Sequence, residues 1–143
     1  MSAAGPHCYA LRIYFEDTDA GGIVYHANYL RFAERARTEA LRDAGIPHAE
    51  LVRRFNLMFV VRSAKLDYLR PARLDDSLVV LTAPLRVGGA SVSLRQEFRH
   101  AGDERCLVTV ELRLACVRPG EARPMPLPPR WRDGLRAMGG NGS

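Results

Sequence analysis

One change of period divides this chain and limits the folds open to it. From about Ala27 to Ala44, apolar side chains recur every three or four residues: Tyr29, Phe32, Ala33, Ala36, Ala40, Leu41 and Ala44. Glu34, Arg35, Arg37, Glu39 and Arg42 fill the other side, so the stretch predicts an amphipathic helix with one buried face. Gly45 stops it and Pro47 follows. After a short helical segment, His48 to Phe55, the period becomes two. Leu57 to Leu69, Ser77 to Val87, Ala90 to Arg99 and Cys106 to Val117 predict four strands. Gly88-Gly89 and Gly102-Asp103 supply turns between the last three, and consecutive hairpins make antiparallel neighbours. Cys8 to Phe15, rich in β-branched, aromatic and apolar residues, predicts a fifth strand ahead of the helix.

One helix against one sheet is an α+β layer architecture. Alanines on the buried stripe let the sheet approach the helix closely. A single helix covers one face of five strands, so the remaining edge or face calls for a second copy of the chain. At 143 residues the chain is expected to form one domain, 1–143, long enough to bury a core. Residues 119–143 are rich in proline and then glycine. They predict an extended strap from Pro119 to Pro129, a short helix from Trp131 to Met138, and a flexible tail at 139–143.

Composition narrows the function classes. With 47% hydrophobic and 26% charged residues the chain reads as globular, and it has no run of 18 apolar residues to cross a membrane. The opening residues MSAAGPHCYALRIYF lack a basic and an apolar signal region, so a cytoplasmic location is expected. Cys106 and Cys116 lie on one predicted strand, and ten strand residues span roughly 33 Å, beyond disulfide reach. Reduced, structural thiols are expected, because no cysteine has a His-rich or Gly-rich setting. The net charge is +5, and all the basic residues but Lys65 are arginine. They are scattered, which suits a solvated surface. It also suits an anionic ligand such as a phosphorylated cofactor, or at most peripheral contact with an acidic membrane. No recognition motif points to nucleic acid.

Chemistry concentrates between Glu16 and Leu30, EDTDAGGIVYHANYL. Asp17 and Asp19 are two residues apart, so on an extended backbone both face one way. They suit turn chemistry and helix capping as well as catalysis. Gly21-Gly22 suits a tight turn or close approach of a ligand to the backbone. His26 falls where the helix begins, and first-turn N–H groups lack intrahelical partners. It is either an exposed first-turn residue or a group that meets substrate. Asn28 either caps the helix or contacts substrate. A carboxylate near a helix N-terminus is what acyl transfer requires: one group activates water or attacks, and free N–H groups hold the oxyanion. His7, His48 and His100 are isolated, with no metal-ligand spacing, so no metal is expected. G-x-S-x-G, P-loop and dinucleotide motifs are absent.

The stretch YFEDTDAGGIVYHANYLRFAERARTEALRDAG resembles the start of hotdog-fold acyl-CoA thioesterases of the 4-hydroxybenzoyl-CoA thioesterase type. It looks most like the branch associated with the bacterial Tol-Pal envelope system. The resemblance continues through VVRSAKLDYLRPARLDDSLVV and, more weakly, GGASVSLRQEF. It implies a hotdog fold, a five-stranded antiparallel sheet wrapped around a long central helix. It also implies a homodimer with one continuous sheet, often paired again into a homotetramer, with the active site between subunits. Asp19 matches the catalytic carboxylate, and His26 matches the position whose amide polarises the thioester carbonyl. Gly22, Tyr25, Asn28 and Ser91 match substrate-binding positions. No separate cofactor is implied, because coenzyme A is part of the substrate.

Two departures stand out. Phe15 replaces a tyrosine found in some relatives. Gly88-Gly89-Ala90 occupies the hairpin where many relatives carry arginine or lysine, leaving Arg62, Arg86 and Arg118 as candidates for the CoA phosphates. The rival reading is a non-catalytic module that binds acyl-CoA or an acyl carrier protein, linked to envelope or lipid metabolism. A hotdog hydratase would need a His and an acid on the helix, and no such pair lies between Ala27 and Ala44.

Overall fold

The computed structural model describes residues 5–138. Five strands and three helices follow in order: β1 (His7–Arg12), α1 (Asn28–Asp43), α2 (His48–Phe55), β2 (Met58–Tyr68), β3 (Ser77–Val87), β4 (Ser91–His100), β5 (Cys106–Val117) and α3 (Pro129–Ala137). The strands form one antiparallel sheet in the order β1-β3-β4-β5-β2. The last three strands therefore pair as expected, β2 joins β5 rather than its neighbour in sequence, and β1 and β2 are the edges. Residues 139–143, expected to be a flexible tail, lie outside the described residues.

α1 buries Tyr29, Phe32, Ala33, Ala36, Ala40 and Leu41, the stripe read from the sequence. Its first half packs with Ile13, Leu78, Phe98, Val108 and Val110. Its second half joins Ile46, Leu51, Leu94, Leu114, Trp131 and Leu135. Burying each large apolar side chain contributes roughly 1.5–3 kcal/mol. Gly45 ends α1 in the left-handed region at φ +79°, where a side chain would be strained. α3 crosses close to Ile46: a Cβ on Gly134 would sit 2.9 Å from its side chain. α3 begins at Pro129, two residues earlier than expected, because proline suits a first turn whose N–H needs no partner.

One polar cluster is built into this core. Gln96 and Thr82 are both fully buried and face each other across β3 and β4. The Gln96 amide donates to the Ala33 carbonyl at 2.8 Å and to the Thr82 hydroxyl at 3.1 Å. Its oxygen accepts from the Arg37 guanidinium at 3.2 Å. Sheet and helix are thus tied by hydrogen bonds as well as by packing.

β1 stops at Arg12, three residues short of the expected Phe15. Ile13 instead pairs with the 75–76 turn, through Ile13 N–H to Asp76 and Asp75 N–H to Ile13, both 2.9 Å. The Tyr14 N–H then goes to the Asp17 carboxylate at 2.8 Å, and Phe15–Asp17 forms a single 3₁₀ turn. No helix among the described residues is long and apolar enough to cross a membrane.

Candidate active site

The stretch before α1 is a miniature ladder. Thr18 bridges Val24, the Asp19 N–H donates to Ile23 at 2.9 Å, and the Tyr25 N–H donates to Asp17 at 3.0 Å. Asp19 closes the tip, where the Gly22 N–H donates back to its carbonyl at 3.0 Å. Gly22 has φ +80°, which glycine adopts without the clash a Cβ would bring. The turn is therefore required by the backbone. Ile23 bridges Arg73, which pins the ladder to the segment after β2.

The two aspartates take different backbone partners. The 3₁₀ turn breaks the extended backbone that the expectation assumed, and Asp17 spends its carboxylate on Tyr14 within that turn. Asp19 is exposed, and its Oδ1 accepts the Gly21 N–H at 2.8 Å. That bond orients the carboxylate and leaves Oδ2 without a protein partner among the described residues. The capping expectation for Asn28 is also corrected. Ala27 takes the cap position, with no side-chain cap bond. The Asn28 amide reaches back 2.9 Å to the Asp17 carbonyl and ties the helix start to the turn.

His26 lies two residues before α1 rather than within it. Among the described residues, no backbone carbonyl accepts its N–H. Its ring is exposed, 4.6 Å from the exposed Tyr25 ring and 6.3 Å from Tyr68. The Tyr68 hydroxyl donates to the His26 carbonyl at 3.2 Å, a contact that sequence reading missed. Tyr68 is separated by 42 residues, and only its place at the end of a strand could have drawn notice. Below it, buried Tyr29 receives the Ala72 N–H at 3.3 Å. Burial raises the Tyr29 phenol above its ordinary value, partly opposed by that bond.

Between α1 and the β2 edge lie two crevices of about 290 and 310 Å³. Both include Glu34, Arg37 and Val61, with Leu41 and Phe59 in one and Leu30 and Leu112 in the other. Burial lowers the Arg37 guanidinium from its usual value, and Glu34 opposes the shift. Ser91 is remote from the Asp19 loop. It sits at the start of β4, opposite Ala115, on a separate groove.

The fold and these residues define a class: an α+β domain with an oriented loop carboxylate beside the entrance to a sheet-packed helix. Residues 21–107 match the thioesterase superfamily. The chain is 41% identical over 120 residues to a protein named acyl-CoA thioesterase YbgC from Haemophilus influenzae, covering 84% of this chain and 87% of that one. A crystal structure titled probable thioesterase from Bartonella henselae matches with TM-score 0.80 and 38% identity, covering 87% of this chain and all of the other. A 1,4-dihydroxy-2-naphthoyl-CoA thioesterase from Synechocystis shares the fold, with TM-score 0.85 at 21% identity over 94% and 98% of the two chains. The chain belongs to the thioesterase superfamily, and its fold is hotdog-like.

Proposed function

We propose that this protein hydrolyses acyl-CoA thioesters to a free carboxylic acid and CoA. The observation that carries the reading is the exposed Asp19 carboxylate, held through Oδ1 by the Gly21 N–H. It stands in the loop that leads to the unpaired N–H of His26. The name of the Haemophilus relative supports the same substrate class.

In this reading the thioester carbonyl oxygen accepts the His26 N–H. As the tetrahedral intermediate forms, that donor and the start of α1 stabilise the oxyanion, and loss of such a donor costs about 3 kcal/mol. Asp19 either takes a proton from the attacking water or attacks first, giving an anhydride that water opens. Both routes break the C–S bond, and the departing thiolate takes up a proton. The His26 ring is secondary, and Gly22, Tyr25, Asn28 and Ser91 line or position the substrate.

Thiol release across short, long and aromatic acyl-CoAs tests the reading. Asp19→Asn is nearly isosteric and should lower turnover at least about a hundredfold, the scale of a lost general base. Unchanged turnover would remove Asp19 from the mechanism. Oxygen-18 uptake into Asp19 in a single turnover would select the anhydride route.

The same reading makes the chain one hotdog unit, with the sheet wrapped around α1 as its central helix. A second copy pairs along β2, the 11-residue edge strand, where Val61 and Tyr68 are each 50% exposed. It closes the crevices beside α1 into an acyl pocket. Light scattering should return a multiple of 15.9 kDa, and a fully active monomer would refute the shared pocket.

A further inference from the structure

Both peptides that flank His26 are tethered, one from within its own turn and one from a distant strand. The Asn28 N–H donates to the Tyr25 carbonyl at 2.9 Å, which closes a four-residue turn with His26 and Ala27 at its centre. The Tyr25 carbonyl and the His26 N–H belong to one trans peptide, so they point in opposite directions. With the carbonyl held inside the turn, the N–H is directed outward. The Tyr25 N–H and the Asn28 side-chain amide both reach the Asp17 carbonyl, at 3.0 and 2.9 Å, and fix the turn to the Asp19 loop. The central peptide of the turn, between His26 and Ala27, has no partner inside it. Its carbonyl is the one that accepts the Tyr68 hydroxyl, at 3.2 Å.

Tyr68 is anchored for that task. It ends β2 opposite Val108, and the next two N–H groups, of Leu69 and Arg70, both donate to the Leu107 carbonyl, at 2.8 and 3.0 Å. Its ring meets that of buried Tyr29 edge-on, with centroids 5.7 Å apart. The Tyr29 hydroxyl accepts the Ala72 N–H, and the Ala72 carbonyl accepts the Val24 N–H at 2.9 Å. The end of β2 and the segment after it therefore brace the loop at two points, Val24 and His26. We infer that Tyr68 is a positioning residue for the reaction: its hydroxyl fixes the His26 turn so that the outward N–H meets the thioester carbonyl without rearrangement. The inference rests on the proposed acyl-CoA hydrolysis. An oxyanion donor acts at full strength only when its geometry is set before charge develops. The hydroxyl acts through His26 and not on the substrate. The strand edge proposed for subunit pairing thus also carries the brace of the oxyanion donor.

The test is Tyr68→Phe, which keeps the ring and removes the hydroxyl. Read by thiol release from an acyl-CoA, kcat should fall about tenfold, less than the hundredfold or more that follows loss of an oxyanion donor itself. KM should stay within about twofold of the parent's, as expected when only transition-state stabilisation is lost, and light scattering should show the same assembly. A second readout needs no turnover. In an Asp19→Asn background, an acyl-CoA labelled with carbon-13 at the thioester carbonyl is bound, and its infrared carbonyl band is compared with that in solution. The aimed donor should lower the band, and adding Tyr68→Phe should return it toward the solution value. An unchanged kcat overturns the inference. So does a lower kcat with an unmoved band, which would put the hydroxyl on the substrate or in a purely structural role. A raised KM at unchanged kcat would make Tyr68 part of the substrate wall instead. If the parent releases no thiol from any acyl-CoA, the proposed activity fails and the positioning role with it; a parent and a variant that hydrolyse equally well refute the positioning role alone.

Discussion

Replacing Gln96 with leucine tests how the sheet is held to the helix. The side chain is fully buried and serves three partners: the Ala33 carbonyl, the Thr82 hydroxyl and the Arg37 guanidinium. Ala33 keeps its intrahelical bond from the residue four positions on, so its loss is small. Thr82 is fully buried and loses its amide neighbour, while Arg37, half-buried, can turn toward the crevice it lines. Each lost bond is worth about 1 kcal/mol, and an orphaned buried polar group adds roughly 1–3. Leucine returns part of this as apolar burial, so the net destabilisation should be about 2–3 kcal/mol. Thr82→Val alone should lose about 1 kcal/mol. The double variant should lose less than the sum, because removing both partners leaves no orphan, with a coupling of at least about 1 kcal/mol. Urea unfolding of the four proteins measures it. Additivity within about 0.3 kcal/mol would refute the network, since independent sites add to that precision.

Two further outcomes follow from the geometry. His48 Nε2 accepts the Phe59 N–H at 3.1 Å, which requires a neutral ring, and burial, then the nearby Arg37 charge, lowers its pKa from 6.5, with Glu34 opposing. A lowered folded value means that the stability from neutral His48 is complete above about pH 6.5. It is lost as the pH falls from there through the folded value. Urea midpoints at pH 5.5 and 7.5 should differ less in His48→Gln, which keeps an acceptor but does not titrate; an equal difference would exclude His48 as the source. Gly22→Ala meets no atom within 4 Å, so only its φ of +80° opposes the change. The expected loss of about 1–2 kcal/mol by thermal melting should shrink in Gly22→Asn, and an unchanged melt would show that the turn relaxes freely.

The limits of sequence reading fall along one physical line. Features set by periodic burial were legible: β3 and β5 occupy the expected residues, and α1 buries Tyr29 through Leu41. Gly45 and Gly22 were legible as punctuation, and both take positive φ. Features set by one side chain choosing among backbone partners were not. Tyr14 belongs to an apolar run, yet Asp17 captures its N–H in a 3₁₀ turn beyond the end of β1. Asn28 looks like a cap but bonds the Asp17 carbonyl 11 residues back. Partners distant in the chain were also hidden. Tyr68 meets His26, and Arg113 joins Arg62, only after the sheet has closed. Spacing shows which face a residue takes, but not which distant residue will share it.

The strand order also governs how the chain can be made. β2 has one neighbour in the sheet, β5, the last strand in sequence. A ribosome therefore delivers β2 about forty residues before its partner begins, a wait of roughly 2–8 s at ordinary synthesis rates. Over that interval β3 and β4 can pair with each other, while β2 stays an unpaired strand, the kind of segment that aggregates or recruits chaperones. Tyr68, the tyrosine that holds the His26 carbonyl, sits on this early-made, late-paired strand. A chain that stops before β5 therefore lacks not a margin of stability but the strand that sets Tyr68 beside His26.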